Sequence, residues 1–159
     1  MATTKGITLE ELRNDQQLTP ERFASQFASF AFVFRAEVQT PELFLSTRAG
    51  DCDDYSTLAA VILREKGYTP RLISVRMKKE IHVVCYIEET KSYLDYNLRA
   101  QEIRMVPCEP DLGAIANKVA KSFKSSWRSV SEFTFEADRQ KRLVSTVKAP
   151  KGLFASAGF

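Results

Sequence analysis

Residues 50–68 read GDCDDYSTLAAVILREKGY and have the strongest structural pattern in the chain. Its middle is rich in leucine, isoleucine, valine and alanine, which occur at the spacing of a buried helix face. Asp51 is a residue type that caps helices, and Gly67 is the usual residue type just after a helix ends. The pattern therefore predicts a helix from Cys52 to Lys66, with Cys52 in its first turn.

Three β-rich segments follow this helix. In residues 71–77, polar side chains alternate with residues that favour strands. Residues 81–87 are rich in β-branched and aromatic side chains, and residues 93–96 form a third segment after a polar turn. Short segments of this kind, separated by turns, predict an antiparallel meander. Because side chains alternate along a strand, His82 shares a face with Val84, whereas Cys85 lies on the opposite face.

The residues before position 50 predict helices. Residues 19–21 and 40–42 both read Thr-Pro-Glu, which combines a capping residue, a proline at the first helical position and an acidic first turn. The second of these predicts a short helix ending near Ser46. After the first, aromatic residues recur at helical spacing and predict one helical stripe that packs into the core: Phe23, Phe27, Phe30 and Phe34. N-terminal helices packed on a small antiparallel sheet define the α+β class.

The C-terminal third gives weaker signals. Residues 111–123 have apolar side chains at helical spacing, and residues 130–135 read as a strand. With no internal repeat and no long linker, we expect a single domain over residues 1–147 with its motif core at residues 40–97. Residues 148–159 are rich in Gly, Ala and Ser, which predicts a flexible tail.

Cys52 is the first of three candidate catalytic residues. A helix N-terminus has unpaired N–H groups and a positive partial charge, which stabilise a thiolate and can receive an oxyanion. The single histidine, His82, lies on one predicted strand, and Asp95 lies among apolar residues on the next. A buried carboxylate needs a partner, which an imidazole on the adjoining strand provides. Each residue alone has an ordinary structural reading, but together they predict a nucleophile, a base and an orienting acid.

Residues 40–97 resemble the transglutaminase-like superfamily. The shared pattern is a Gly-x-Cys turn opening a helix, a helix ended by Gly, an Arg-led strand, a His-led strand and an Asp strand. It reads here as Gly50-Asp51-Cys52, Gly67, Arg71, His82-Val83-Val84 and Leu94-Asp95-Tyr96. The segment Thr40-Pro41-Glu42-Leu43, followed by residues 50–55, is more similar still to the bacterial transglutaminase-like cysteine proteinases.

The resemblance implies a papain-like core and a thioester intermediate on Cys52, with His82 as base and then acid and Asp95 as orienting group. The implied activity is a thiol hydrolase that acts on a peptide or isopeptide amide of a peptide or protein substrate and requires no cofactor. Two alternatives stay open: a transglutaminase-type acyl transferase, and a catalytically silent binding module of a phage or bacterial assembly. The residues after His82 are Val83-Val84 instead of the Ala-Trp common in transglutaminases, which weakens a cross-linking role.

Two further expectations concern groups around Cys52. Its backbone N–H should meet the oxyanion together with a second donor, for which Gln39 is a candidate although its spacing differs from that in papain-like enzymes. The resemblance also implies a calcium ion at Asp51 and Asp53, since hard oxygen ligands suit calcium. The alternative is that these carboxylates cap the helix and favour its dipole.

Composition limits the other functions. The net charge is +3 and the pI is near 8.8, but the basic residues are spread out apart from a short run at Arg139, Lys141 and Arg142, so we expect no nucleic-acid partner. The N-terminus has no signal-like apolar region and no segment is long enough to span a bilayer, so we expect a cytoplasmic protein without a membrane partner, with virion association as an alternative. The oligomeric state stays open.

The three cysteines are an odd number, which argues against a disulfide framework. Cys85 reads as a small core residue and Cys108 as a loop residue. A zinc site that combines these with Cys52 and His82 is disfavoured, because no pair has zinc-finger spacing.

Overall fold

The computed structural model describes residues 6–150. The helices within this range are α1 (Leu9–Asn14), α2 (Pro20–Ala24), α3 (Pro41–Thr47), α4 (Cys52–Glu65) and α5 (Leu112–Ser122). The strands are β1 (Ala31–Phe32), β2 (Ala49–Gly50), β3 (Pro70–Met77), β4 (Ile81–Ile87), β5 (Ser92–Leu94), β6 (Met105–Pro107), β7 (Trp127–Phe135) and β8 (Lys141–Lys148). None of the helices in this range has the length and apolar character needed to cross a membrane.

Six of the strands form one antiparallel sheet in the order β6-β5-β4-β3-β7-β8, and β1 and β2 form a separate parallel pair. The predicted meander forms part of the six-stranded sheet, in which β3 pairs with β4 and β4 pairs with β5. Helix α4 contacts β3 and β4, and α5 contacts β3 and β7. The α+β class and the antiparallel sheet with N-terminal helices are confirmed.

The sheet separates two apolar cores, and β4 shows why. Its side chains alternate, so that Val83, Cys85 and Ile87 enter the core beneath α4, whereas Val84 and Tyr86 enter the core beneath α5. This is the alternation that the sequence predicted for residues 82–87. The first core also contains the buried aromatic residues of the N-terminal helices, which hold α4 against the sheet.

The predicted aromatic stripe is correct only in part. Helix α2 ends at Ala24, a single 3₁₀ turn covers Ser25–Phe27, and the chain then becomes extended. Phe23, Phe27 and Phe30 are buried, but the Phe34 side chain is 77% exposed. The helix stops because residues 31–34 are aromatic or β-branched apart from the first, and because their backbone pairs with β2 instead.

The C-terminal third contains the predicted helix and strand, as α5 and β7. Strand β8 was not predicted, because every one of its residues is exposed and its sequence therefore lacks a buried face. It exists as an edge strand paired with β7. The predicted tail starts at Lys148, which is the last residue of β8, and residues 151–159 lie outside the described residues.

Gly50 has no space for a side chain. A Cβ atom there would lie 2.4 Å from Asp54 Oδ2, 2.8 Å from Gln39 Nε2 and 2.8 Å from a ring carbon of Phe44. These neighbours are buried and hydrogen-bonded or packed, so they cannot move away freely. The glycine of the Gly-x-Cys motif is therefore required by close packing.

We predict that Gly50→Ala lowers the free energy of unfolding by about 1–3 kcal/mol, the usual cost of overpacking. Urea denaturation would measure this change. Gly113→Ala is the matched control, because the nearest atom to its Cβ would be 3.6 Å away and alanine favours a helix by about 1 kcal/mol over glycine. Equal stability of Gly50→Ala and the wild type would contradict the packing argument.

Candidate active site

Helix α4 begins with a capping box that places Cys52 at its first position. Asp51 Oδ1 accepts hydrogen bonds from the backbone N–H groups of Asp53 (3.1 Å) and Asp54 (3.2 Å). In return, Asp54 Oδ2 accepts a hydrogen bond from the N–H of Asp51 (3.0 Å). This reciprocal pattern fixes where the helix starts, and therefore fixes the backbone of Cys52.

The carboxylate of Asp54 also holds Gln39. Asp54 is 1% exposed, and its Oδ1 accepts from the backbone N–H of Gln39 at 2.6 Å while Oδ2 accepts from Gln39 Nε2 at 2.9 Å. Gln39 Nε2 donates its second hydrogen to the carbonyl oxygen of Ala49 (2.8 Å). Both amide hydrogens of Gln39 are thus engaged, so Gln39 supports the turn and the expectation that it donates to an oxyanion is wrong.

One backbone N–H group at the start of α4 has no hydrogen-bond partner in the cap. The first four N–H groups of a helix, counted from the capping residue, have no partner within the helix. Those of Asp51, Asp53 and Asp54 are taken by the two carboxylates. Within residues 6–150, no hydrogen bond engages the fourth, the N–H of Cys52. That N–H is therefore available to an anion next to the sulfur.

His82 in β4 and Asp95, the residue directly after β5, are in contact with each other. His82 Nε2 is 2.8 Å from Asp95 Oδ1, and the two residues are 4% and 3% exposed. The same oxygen of Asp95 accepts the backbone N–H of Asn97 at 2.9 Å. Because a carboxylate accepts, Nε2 carries a hydrogen, and Nδ1 is the nitrogen left for another partner.

Asp95 differs from its prediction in one respect. It was predicted within a strand over residues 93–96, but β5 ends at Leu94 and Asp95 caps a 3₁₀ turn at Tyr96–Leu98. The hydrogen bond from the N–H of Asn97 to its side chain ends the strand there, as short acidic side chains commonly do.

The surroundings of His82 raise its pKa. Burial lowers it, but the hydrogen bond and charge of Asp95, together with the interaction with Cys52, outweigh burial and raise the pKa from 6.5 to about 10. Among the hydrogen bonds of the described residues, none of standard geometry joins Cys52 to His82. The Cys52–His82 contact is thus looser than the His82–Asp95 bond, as is common before a substrate binds.

Cys52 and His82 share a cleft of about 640 Å³. Phe123, the residue that ends α5, lies in this cleft with its ring centre 4.9 Å from that of His82. In the sequence Phe123 only continues the helical spacing of residues 111–123, which indicated a helix and no part in a site. Asn97 also lines the cleft, and no motif in the sequence indicated it.

The carboxylates of Asp51 and Asp53 do not fit a calcium ion. The Asp51 oxygens accept three backbone N–H groups, from Asp53, Asp54 and Arg35, and Asp53 forms an ion pair with Lys141 at 3.1 Å. Across residues 6–150, no group of three or more His, Cys, Asp or Glu side chains converges as metal ligands would. Calcium needs six to eight oxygens, so the arrangement favours the capping role.

The three cysteines are all free, and they differ in environment. Cys85 is fully buried and burial raises its pKa to about 12. Cys108 is also buried, and burial raises its pKa. Cys52 is only partly buried, so it is the cysteine that a molecule in the cleft can reach.

The fold and the cleft define a protein of the α+β class in which a cysteine at a helix N-terminus faces a histidine and an aspartate on neighbouring parts of a sheet. A family model described as a transglutaminase-like domain matches residues 12–105, which is more than half of the chain. The chain belongs to this family. A search of curated proteins found no match.

The single histidine makes the pKa of His82 directly measurable. We predict that its ring titrates well above pH 8 in an NMR titration, because Asp95 and Cys52 favour the imidazolium. In Asp95→Asn the carboxylate is lost while burial remains, so the midpoint should fall to 6.5 or below. A wild-type midpoint at or below 6.5 would show that Asp95 and Cys52 do not outweigh burial, and would contradict the prediction.

Proposed function

We propose that this protein is a thiol hydrolase that acts on a peptide or isopeptide amide through a thioester on Cys52. The observation that carries the proposal is the buried 2.8 Å bond between His82 and Asp95, together with the place of Cys52 at the start of α4, where it lines the same cleft as His82. A purely structural histidine in a core needs a hydrogen-bond partner, but it has no need to line the same cleft as a partly exposed cysteine at a helix N-terminus.

In the first step, the Cys52 thiolate attacks the carbonyl carbon of the amide. The carbonyl oxygen becomes an oxyanion, which the free N–H of Cys52 at the start of α4 stabilises. As the C–N bond breaks, the His82 imidazolium gives its proton to the leaving amine, and the acyl group stays on the sulfur. Asp95 keeps the ring oriented and stabilises its charged form throughout.

In the second step, water attacks the thioester. His82, now neutral, takes a proton from the water, the C–S bond breaks, and the products are a carboxylic acid and the restored thiolate–imidazolium pair. Water has access because Cys52 is only partly buried and lies in an open cleft. This access favours hydrolysis over transfer to an amine, since transfer requires that water be excluded from the thioester.

p-Nitrophenyl acetate tests the proposal without knowledge of the natural substrate. The reagent should transfer its acetyl group to Cys52 and release one equivalent of p-nitrophenolate rapidly, followed by slower turnover. We predict that Cys52→Ala abolishes the rapid phase and that His82→Ala slows it by about 100-fold or more, a typical contribution of a general base. Cys108→Ala is the matched control and should leave both phases unchanged.

The products separate the competing functions. When a primary amine is added, a hydrolase still gives mainly the acid, whereas an acyl transferase gives mainly the amide. Absence of any acetyl adduct on Cys52 would contradict both enzymatic functions and favour a silent binding module.

A further inference from the structure

Residues 31–35, the aromatic segment, are exposed at the edge of the cleft. Phe32 and Phe34 both line the cleft, although their side chains are 56% and 77% exposed. Ile81, which is 57% exposed, lines it next to His82. Three large apolar side chains left in water around a reactive thiol mark a surface that binds an apolar group.

The aromatic segment is held in place by the turn that carries the nucleophile. The N–H of Ala31 donates to the carbonyl oxygen of Arg48 (2.9 Å), and that of Val33 donates to Gly50 (2.8 Å). The N–H of Arg35 donates to Asp51 Oδ2 at 3.1 Å, which joins the segment to the cap of α4. The exposed rings therefore sit on a backbone that is anchored immediately before Cys52.

The other edge of β1 has no strand paired with it, although the carbonyl oxygen of Phe30, just before β1, accepts a hydrogen bond from Arg99. Odd-numbered residues of the segment point their backbone groups at β2, so those of Phe32 point the opposite way. Within residues 6–150, β1 and β2 form a sheet of two strands only, and no strand pairs with β1 on this side. An extended peptide can hydrogen-bond to such an edge as an added strand.

The charges in the cleft do not select a charged ligand. Lys79 and Glu80 both line the cleft and have opposite signs, and the charge of Asp53 is offset by Lys141. The fourth charged side chain, Asp51, is buried and accepts three backbone N–H groups. A cleft of about 640 Å³ is within the roughly 300–1,000 Å³ typical of ligand sites. The apolar lining and the balanced charge fit a neutral, bulky side chain.

From these observations we infer that the aromatic segment binds the acyl part of the substrate, and that the substrate is an extended peptide with a large apolar residue on the acyl side of the reacting amide. The inference rests on the proposed function, in which His82 protonates the leaving amine. The amine therefore lies on the His82 side, and the acyl part lies on the side where residues 31–35 are joined to the turn before Cys52.

Two peptidyl chloromethyl ketones that differ only in the residue next to the ketone, Phe or Ser, test the inference. Each alkylates Cys52 by forming a bond between its sulfur and the reagent's methylene carbon, with loss of chloride, and mass spectrometry measures the rate. We expect the wild type to react at least about tenfold faster with the Phe reagent, the scale of discrimination in an apolar pocket. Phe34→Ser should reduce this preference to about threefold or less.

Leu143→Ser is the matched control, because Leu143 is 68% exposed on β8 and does not line the cleft. It should retain the wild-type preference. Each alkylation rate is divided by the rate at which iodoacetamide labels Cys52 in the same protein, so that a change in the reactivity of the thiol itself does not enter the comparison. Equal rates with the two reagents in the wild type, or an unchanged preference in Phe34→Ser, would overturn the inference.

Failure of the proposed function gives a different result. If the Phe preference depends on Phe34 but the wild type forms no acyl-enzyme, the peptide-binding surface stands and the hydrolase does not. If Cys52 reacts with neither iodoacetamide nor either ketone, both the hydrolase and the substrate assignment are overturned.

Discussion

The buried carboxylate of Asp54 is the interaction on which the site depends. Burying a charged group is unfavourable unless hydrogen bonds replace its water, and Asp54 receives three, from the backbone and side chain of Gln39 and from the backbone of Asp51. These bonds join two separate pieces of chain, the segment at Gln39 and the start of α4. They also explain Gly50, whose place beside this carboxylate leaves no space for a side chain. The start of α4, and with it the position of Cys52, follows from this arrangement.

The second half of the site comes from the sheet. His82 on β4 and Asp95 just after β5 meet because the two strands pair as neighbours, and their bond is buried by surrounding structure. Phe123 at the end of α5 adds a ring against His82, so the C-terminal third of the chain contributes to the site. The parts of the site therefore come from three regions of the fold, and none of these regions is sufficient alone.

Much of this arrangement could be predicted from local sequence. The capping residue Asp51, the terminating Gly67 and the apolar run between them indicated α4 with nearly its observed bounds. The residues of β4 and the alternation of their side chains between two faces could also be predicted, because the segment is rich in β-branched and aromatic residues. These features depend on short-range hydrogen bonds and periodicity, which a sequence displays directly.

The remaining features depend on contacts between distant residues. Phe34 continues a helical spacing, yet the segment is extended because it pairs with β2. Gln39 carries no local sign that Asp54 will take both its backbone and its amide hydrogens. Strand β8 is defined by pairing with β7, and the ion pair of Lys141 with Asp53 links residues 88 positions apart. No pattern in the sequence displays such pairings.

The pairing of Cys52 with His82 can be tested by the rate at which iodoacetamide alkylates each of the three cysteines at pH 7. Mass spectrometry would resolve the three rates in the wild type and in His82→Ala. If Cys52 and His82 act as a thiolate–imidazolium pair, Cys52 should react at least about tenfold faster than Cys85 and Cys108, and His82→Ala should remove most of that advantage. The burial of Cys85 and Cys108 accounts for their slow reaction in both proteins. An unchanged rate at Cys52 in His82→Ala would show that the imidazole does not activate the thiol, and would contradict the account.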